Sequence, residues 1–315
     1  MLLSFLLVGC TPVPPAATAV PTANTAPAVI SPTSTATRAV TATPTPLAPT
    51  STPEVAFHFC TPPFQILTGH FVLAAPIGAE YNQSVSPGYR YGATGNGQFD
   101  VHHGVEFENR PGTPVLAPAA GVVVFAGPDD DALIAAWPQF YGNVIVLEHH
   151  FDGIAQPVFT VYGHLSTIGV TVGENVEAGQ PIGQVGATGV ALGNHLHFEV
   201  RFGENDYAAT RNPELWIAPP EGTGALAVYV LDAAGQPVNG LPLVITRLDD
   251  ESGQRTFLEP YGAGANGDDG WGEQYGASGL PAGRYRVAFT YGKPYSMDVT
   301  VDPGLLTLAA FCLGD

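Results

Sequence analysis

Charge is scarce in this chain of 315 residues. Only 12% of its side chains are charged, and Lys and Arg number 10 against 28 Asp and Glu. At a formal net charge of -18, and with no basic run, the chain has no means of gripping a phosphate backbone, so nucleic acid is excluded as a partner. The acidity reads as a self-repelling, exported surface. No stretch sustains a 3.6-residue apolar period, which excludes long amphipathic helices. Cysteine is down to three residues, too few and too far apart for a structural zinc finger. The apolar run at the N-terminus is too short to span a bilayer. Glycine and proline, by contrast, are plentiful at 38 and 30, which favours turn-rich β structure.

Four segments follow from these patterns. Residues 1–9 read as a signal peptide ending in Leu7-Val8-Gly9 before Cys10, a run that resembles a bacterial lipobox, although no basic residue precedes it. That resemblance implies lipidation of Cys10 and an exported protein anchored to the membrane, facing the cell wall or periplasm. Residues 10–53 are Pro, Thr, Ala, Ser and Val almost throughout, a tether able to reach on the order of 100 Å if extended. Residues 54–220 show short β runs such as Val122–Phe125, Asn143–Leu147 and Phe159–Tyr162, separated by Gly and Pro turns. Residues 221–315 read as a second β unit. Its segment Gly279–Phe289 resembles the closing hairpin of an immunoglobulin-like or carboxypeptidase-regulatory-like sandwich. The expected fold class is all-β. In an oxidising compartment the two remaining cysteines, Cys60 and Cys312, suggest a disulfide joining the two ends of the folded region.

Three short runs carry the chemistry: His102-His103-Gly104-Val105-Glu106, Tyr162-Gly163-His164-Leu165 and His195-Leu196-His197-Phe198-Glu199. Their five imidazoles and two carboxylates hold the inventory of a hydrolytic zinc site. Strand alternation from His195 puts Leu196, Phe198 and Val200 on a core face and His195, His197 and Glu199 on the other. His195 and His197 would then stand roughly 7 Å apart, one able to bind a metal while the other reaches water. Tyr162 and His164 repeat that spacing, with Gly163 giving room between them. His102 and Glu106 would be roughly 13 Å apart on a straight strand, so they meet at one ion only if the backbone bends near Gly104.

The order of these motifs, with Gly112-Thr113-Pro114-Val115, Tyr141-Gly142-Asn143 and Gly179-Gln180-Pro181-Ile182-Gly183 between them, resembles the lysostaphin-type (LytM, M23) zinc metallopeptidases over roughly residues 88–202. The resemblance implies two antiparallel sheets flanking a groove, and peptidoglycan peptides as substrate. It implies Zn2+ held by His102, Glu106 and His197, with His195 as general base and His164 orienting water or stabilising the oxyanion. Glu106 stands where the family has Asp. The glycine spacing before His195 also fits a cupin, but no His follows His197 to complete that site. The other reading is an inactive M23-like module that binds cell wall or activates a partner amidase.

Overall fold

The computed structural model describes residues 63–130, 132–249 and 253–314. The expected signal peptide, Cys10, the tether and Cys60 lie outside the described residues. Apart from two short 3-10 turns, at Tyr207–Ala209 and Pro213–Leu215, the regular structure among the described residues is all β.

With strands numbered along the chain, the main antiparallel sheet contains β2 (Val105–Glu108), β4 (Gly121–Pro128), β5 (Asn143–His149), β6 (Val158–Gly163), β8 (Asn175–Val176), β10 (His195–Phe202) and β11 (Thr210–Arg211). Their order is β11-β10-β6-β5-β4-β8, and β2 also pairs with β10. A smaller sheet of β3 (Pro114–Leu116), β9 (Pro181–Gln184) and β7 (Thr167–Ile168) packs on it through Val115 and Ile182. The β10 alternation has the form expected from its sequence. Leu196, Phe198 and Val200 enter a large apolar core with Phe107 and Tyr162, and each such side chain contributes about 1.5–3 kcal/mol by leaving water. The opposite face of the sheet packs Val144, Val146, Phe159 and Val161 against Tyr141 and Ile134.

The C-terminal unit consists of two four-stranded sheets. One is β1 (Phe64–Leu67), β18 (Leu306–Cys312), β12 (Thr223–Leu231) and β15 (Tyr275–Pro281). The other is β14 (Arg255–Leu258), β13 (Leu243–Arg247), β16 (Gly283–Tyr291) and β17 (Lys293–Val301). Leu226, Val228, Ile245, Val287, Val299 and Phe311 close the core between them. The stretch Gly279–Phe289, expected as a hairpin, crosses between the sheets instead. β15 pairs with β12, and after Ala282 the chain enters β16, which pairs with β13 and β17. Leu280 and Val287 are thereby buried in one core from opposite layers. β12 and β18 run parallel.

The first of these sheets is covered on both faces. Leu226, Val228 and Val230 of β12 face the sandwich, while Ala225, Ala227 and Tyr229 join the core of the main sheet, together with Leu306, Leu308 and Ala310 of β18. β1 lies within the segment read as N-terminal, yet it pairs with β18. The core therefore runs across the sequence boundary expected at residue 220.

Candidate metal centre

β2 and β10 pair antiparallel with Glu106 opposite His197 and Glu108 opposite His195. This register brings a carboxylate and an imidazole from distant runs to one point. Just before β2 the chain bends at Gly104. A Cβ there would lie 2.6 Å from the Phe198 carbonyl and 2.8 Å from the His197 ring, so only glycine fits the approach. The bend returns His102 to the site.

One ligand atom from each of His102, Glu106 and His197 lies within 4.8 Å of the others. His102 Nε2 is 3.0 Å from Glu106 Oε1, His197 Nδ1 is 3.2 Å from the same oxygen, and the two nitrogens are 3.3 Å apart. A tetrahedral zinc ion with bonds of about 2.0–2.1 Å spaces its ligand atoms about 3.3 Å apart. The triangle and its two-nitrogen, one-oxygen chemistry fit that ion. The extra methylene of Glu106 relative to Asp lets its second oxygen, Oε2, lie 2.5 Å from His195 Nε2.

The ring of His195 is mostly covered, and its Nδ1 lies 3.2 Å from the Gly193 carbonyl. His164 follows β6 with φ +60°, a left-handed conformation uncommon outside glycine. That turn breaks the alternation expected for Tyr162 and His164. Tyr162 stays in the core, bonded through its hydroxyl to Thr160 Oγ1, and His164 swings to the opposite side, 4.8 Å from the His195 ring. Its Nδ1 donates to the Thr188 carbonyl at 2.8 Å, which leaves Nε2 as an acceptor.

Behind His197 a buried polar relay is complete. His197 Nε2 donates to Glu199 Oε1 at 3.2 Å, Arg201 Nε donates to Glu199 Oε2 at 2.7 Å, and the Tyr141 hydroxyl donates to Glu199 Oε1. Arg201 also donates to the Ile134 carbonyl and to Asn205. Glu199 and Arg201 are both 0% exposed, so neither could remain charged without the other. Burial opposes a charged Glu199, but Arg201 and His197 outweigh it and hold its carboxyl at about 2. Burial likewise opposes a protonated His197, and Glu106 with Glu199 reverses that, lifting it to about 9. Burial, followed by the neighbouring His197 and His195, drives His164 down to about 3. Glu106, which burial alone would raise, is carried well below the carboxylate range by His102, His195 and His197.

His103 does not join the centre, for its Nδ1 bonds Thr210 Oγ1 and its ring packs on Tyr207. Sequence reasoning named no role for Tyr89, which stacks on His102 at 4.0 Å, for Tyr141, which stacks on His197 at 4.6 Å, or for Arg201. Arg201 left one signal, a cation two residues from Glu199 on the same strand face.

Residues 100–209 match the model of peptidase family M23. It is 33% identical over 153 residues to the DD-carboxypeptidase/endopeptidase Mpg of Neisseria meningitidis serogroup B, covering 47% of this chain and 32% of that one. It is 35% identical over 103 residues to the peptidoglycan DD-endopeptidase ShyC of Vibrio cholerae, covering 33% of this chain and 21% of that one. Among solved structures, the catalytic domain of the antimicrobial peptidase lysostaphin from Staphylococcus simulans aligns at 33% identity with a TM-score of 0.34, over 42% of this chain and 90% of that one. The chain thus spans about a third or less of the length of these two curated relatives.

Proposed function

We propose that this chain is a zinc-dependent endopeptidase that hydrolyses peptide bonds of bacterial peptidoglycan. The observation that carries the reading is the triangle of His102, Glu106 and His197 donor atoms at 3.0 to 3.3 Å. Its support comes from the M23 match and from a relative described as a peptidoglycan DD-endopeptidase. Zinc bound by these residues supplies a Lewis acid that polarises an amide carbonyl and acidifies water to a pKa of about 7.

The remaining steps fall to side chains of this chain. His195 takes the proton of the attacking water and passes it to the leaving amine. Its bond to the Gly193 carbonyl fixes the ring. Neutral His164, with its lone pair at Nε2, accepts a hydrogen bond from water, which orients the nucleophile; in this tautomer Nε2 has no proton to offer an oxyanion. Glu199, held by Arg201, orients His197 from behind.

One observation favours the second reading, an inactive wall-binding or amidase-activating module. Glu106 Oε2 sits 2.5 Å from His195 Nε2, where the proton-accepting atom is needed. Zinc content and amino-group release from purified sacculi separate the two. The peptidase reading expects stoichiometric zinc and release of new amino groups. It also expects His195→Ala to keep zinc and lose most turnover. Sedimentation with sacculi, with zinc bound but no release, would overturn it.

Lipidation of Cys10, membrane anchoring through the 10–53 tether and a Cys60–Cys312 disulfide belong to the same proposal. The disulfide is supported by the antiparallel ladder that sets Phe64 opposite Ala309, with Ala310 N donating to the Pro63 carbonyl, because it places the start of the described chain beside the strand that ends at Cys312.

A further inference from the structure

The first metal-site histidine sits at the end of a loop that the C-terminal unit holds. Between Arg90 and His102 the chain folds back on itself, with Gly92 N donating to the His102 carbonyl at 2.8 Å and His102 N to the Ala93 carbonyl at 3.0 Å. The His102 ring presents Nε2 to Glu106, and its Nδ1 lies 3.3 Å from the Arg90 carbonyl. Where this loop lies therefore decides where His102 lies.

Three kinds of contact from beyond residue 220 fix the loop. Glu259, just after β14, accepts from Thr94 N at 3.1 Å, Thr94 Oγ1 at 3.2 Å and Asn96 N at 3.1 Å through one oxygen. Asn266 N donates to the Tyr91 hydroxyl at 2.9 Å, and that hydroxyl donates to the Thr210 carbonyl at 2.9 Å. Gly262 N donates to the Gly92 carbonyl at 2.8 Å. The two backbones approach so closely that a Cβ on Gly92 would lie 2.5 Å from the Tyr261 ring, and one on Gly262 would lie 2.6 Å from Val101. Arg90 is tied from the peptidase side by its ion pair with Glu214, whose Oε2 also accepts from Ser278 N of β15 at 2.8 Å.

We propose that the segment Glu259–Asn266 of the C-terminal unit is a positioning element for the metal centre, setting His102 and through it the affinity for a divalent metal. This rests on the peptidase-site reading of His102. It gives the C-terminal unit a role at the site without any contact with substrate. Groups that orient a ligand from outside the coordination sphere typically alter metal affinity about 10- to 100-fold.

The test is zinc affinity of the full chain by chelator competition, with thermal unfolding of the metal-free chain measured in parallel. Glu259→Ala is expected to weaken zinc binding about tenfold. Glu259→Gln, which keeps a carbonyl oxygen for the three donors, is expected to restore most of that affinity. Tyr91→Phe, which removes the hydroxyl shared by Asn266 N and the Thr210 carbonyl, is expected to weaken binding in the same direction. Asp298→Ala, which breaks an exposed pair with Arg286 in the outer sheet, is expected to leave zinc affinity unchanged. A folded Glu259→Ala chain with wild-type zinc affinity would overturn the positioning role while leaving the peptidase reading intact. A wild-type chain that takes up no zinc would overturn both. A lowered unfolding temperature with unaltered affinity would reduce the contact to a structural one and also overturn the proposal.

Discussion

β10 and β12 are both long strands buried on both faces, and they use that burial in opposite ways. β12 turns one apolar row to each neighbour, with Ala225, Ala227 and Tyr229 toward the main-sheet core and Leu226, Val228 and Val230 toward the sandwich. β10 has one apolar row, and its other row carries His195, His197, Glu199 and Arg201. Burying such groups is tolerable only when each is paired, because a lone charge out of water costs several kcal/mol. The teaching is that β10 cannot be altered one residue at a time, whereas β12 answers mainly to volume.

The largest expected effect lies on β10. Glu199→Ala leaves Arg201 buried without its carboxylate and should cost about 3–5 kcal/mol in urea unfolding. It should also weaken zinc binding, since His197 loses the acceptor for Nε2. A loss under 1 kcal/mol would show that the buried relay tolerates piecemeal change and would dissolve the contrast.

Next comes a carboxylate buried near the shared sheet with no such cation. Glu273 accepts from Asp268 N and Tyr261, and burial, reinforced by the charge of Asp268, pushes its carboxyl from 4.5 up to about 8. Below about 4.5 the folded and unfolded chains both hold this proton; between about 4.5 and 8 only the folded chain does. Stability therefore falls as pH rises through that window and levels off above it. Glu273→Gln mimics the protonated form and should remove up to a few kcal/mol of this pH-dependent loss, read as a flatter profile of unfolding midpoint against pH. Glu199 has the opposite sign, for its contribution is present above about 4.5 and is lost as pH falls toward 2.

The smallest effect belongs to β12. Ala227→Leu adds volume to a filled layer and should cost about 1–3 kcal/mol with zinc affinity unchanged. A zinc loss as large as that of Glu199→Ala would mean that packing and ligand geometry cannot be separated in this chain.

Much of this was legible in the residues. Short apolar runs between Gly and Pro turns located β4, β5 and β6, and alternation set the two faces of β10, because a strand with one buried face repeats every second position. The convergence of His102, Glu106 and His197 could be stated conditionally, with Gly104 as the required bend. Other features were hidden for physical reasons. His164 leaves its strand through a positive φ, which alternation does not encode. The pairing of β1 with β18 joins the two ends of the described chain, and no local pattern specifies so remote a partner. The crossing at Ala282 looked like a hairpin because glycine and proline mark a turn without saying which layer the chain enters next. Arg201 passed unremarked because charge usually means exposure, and here a single carboxylate two residues away makes full burial possible.

The sheet holding β12 and β18 carries a consequence for dissecting the chain. A cut at the apparent seam near residue 220 would take Ala225, Ala227, Tyr229, Leu306, Leu308 and Ala310 from the core that Leu215, Trp216 and Ile217 share. Any replacement of the tail would have to bring a substitute cover in the same step. The two sides of the sheet thus share one wall, and a change of volume on either side must be matched on the other.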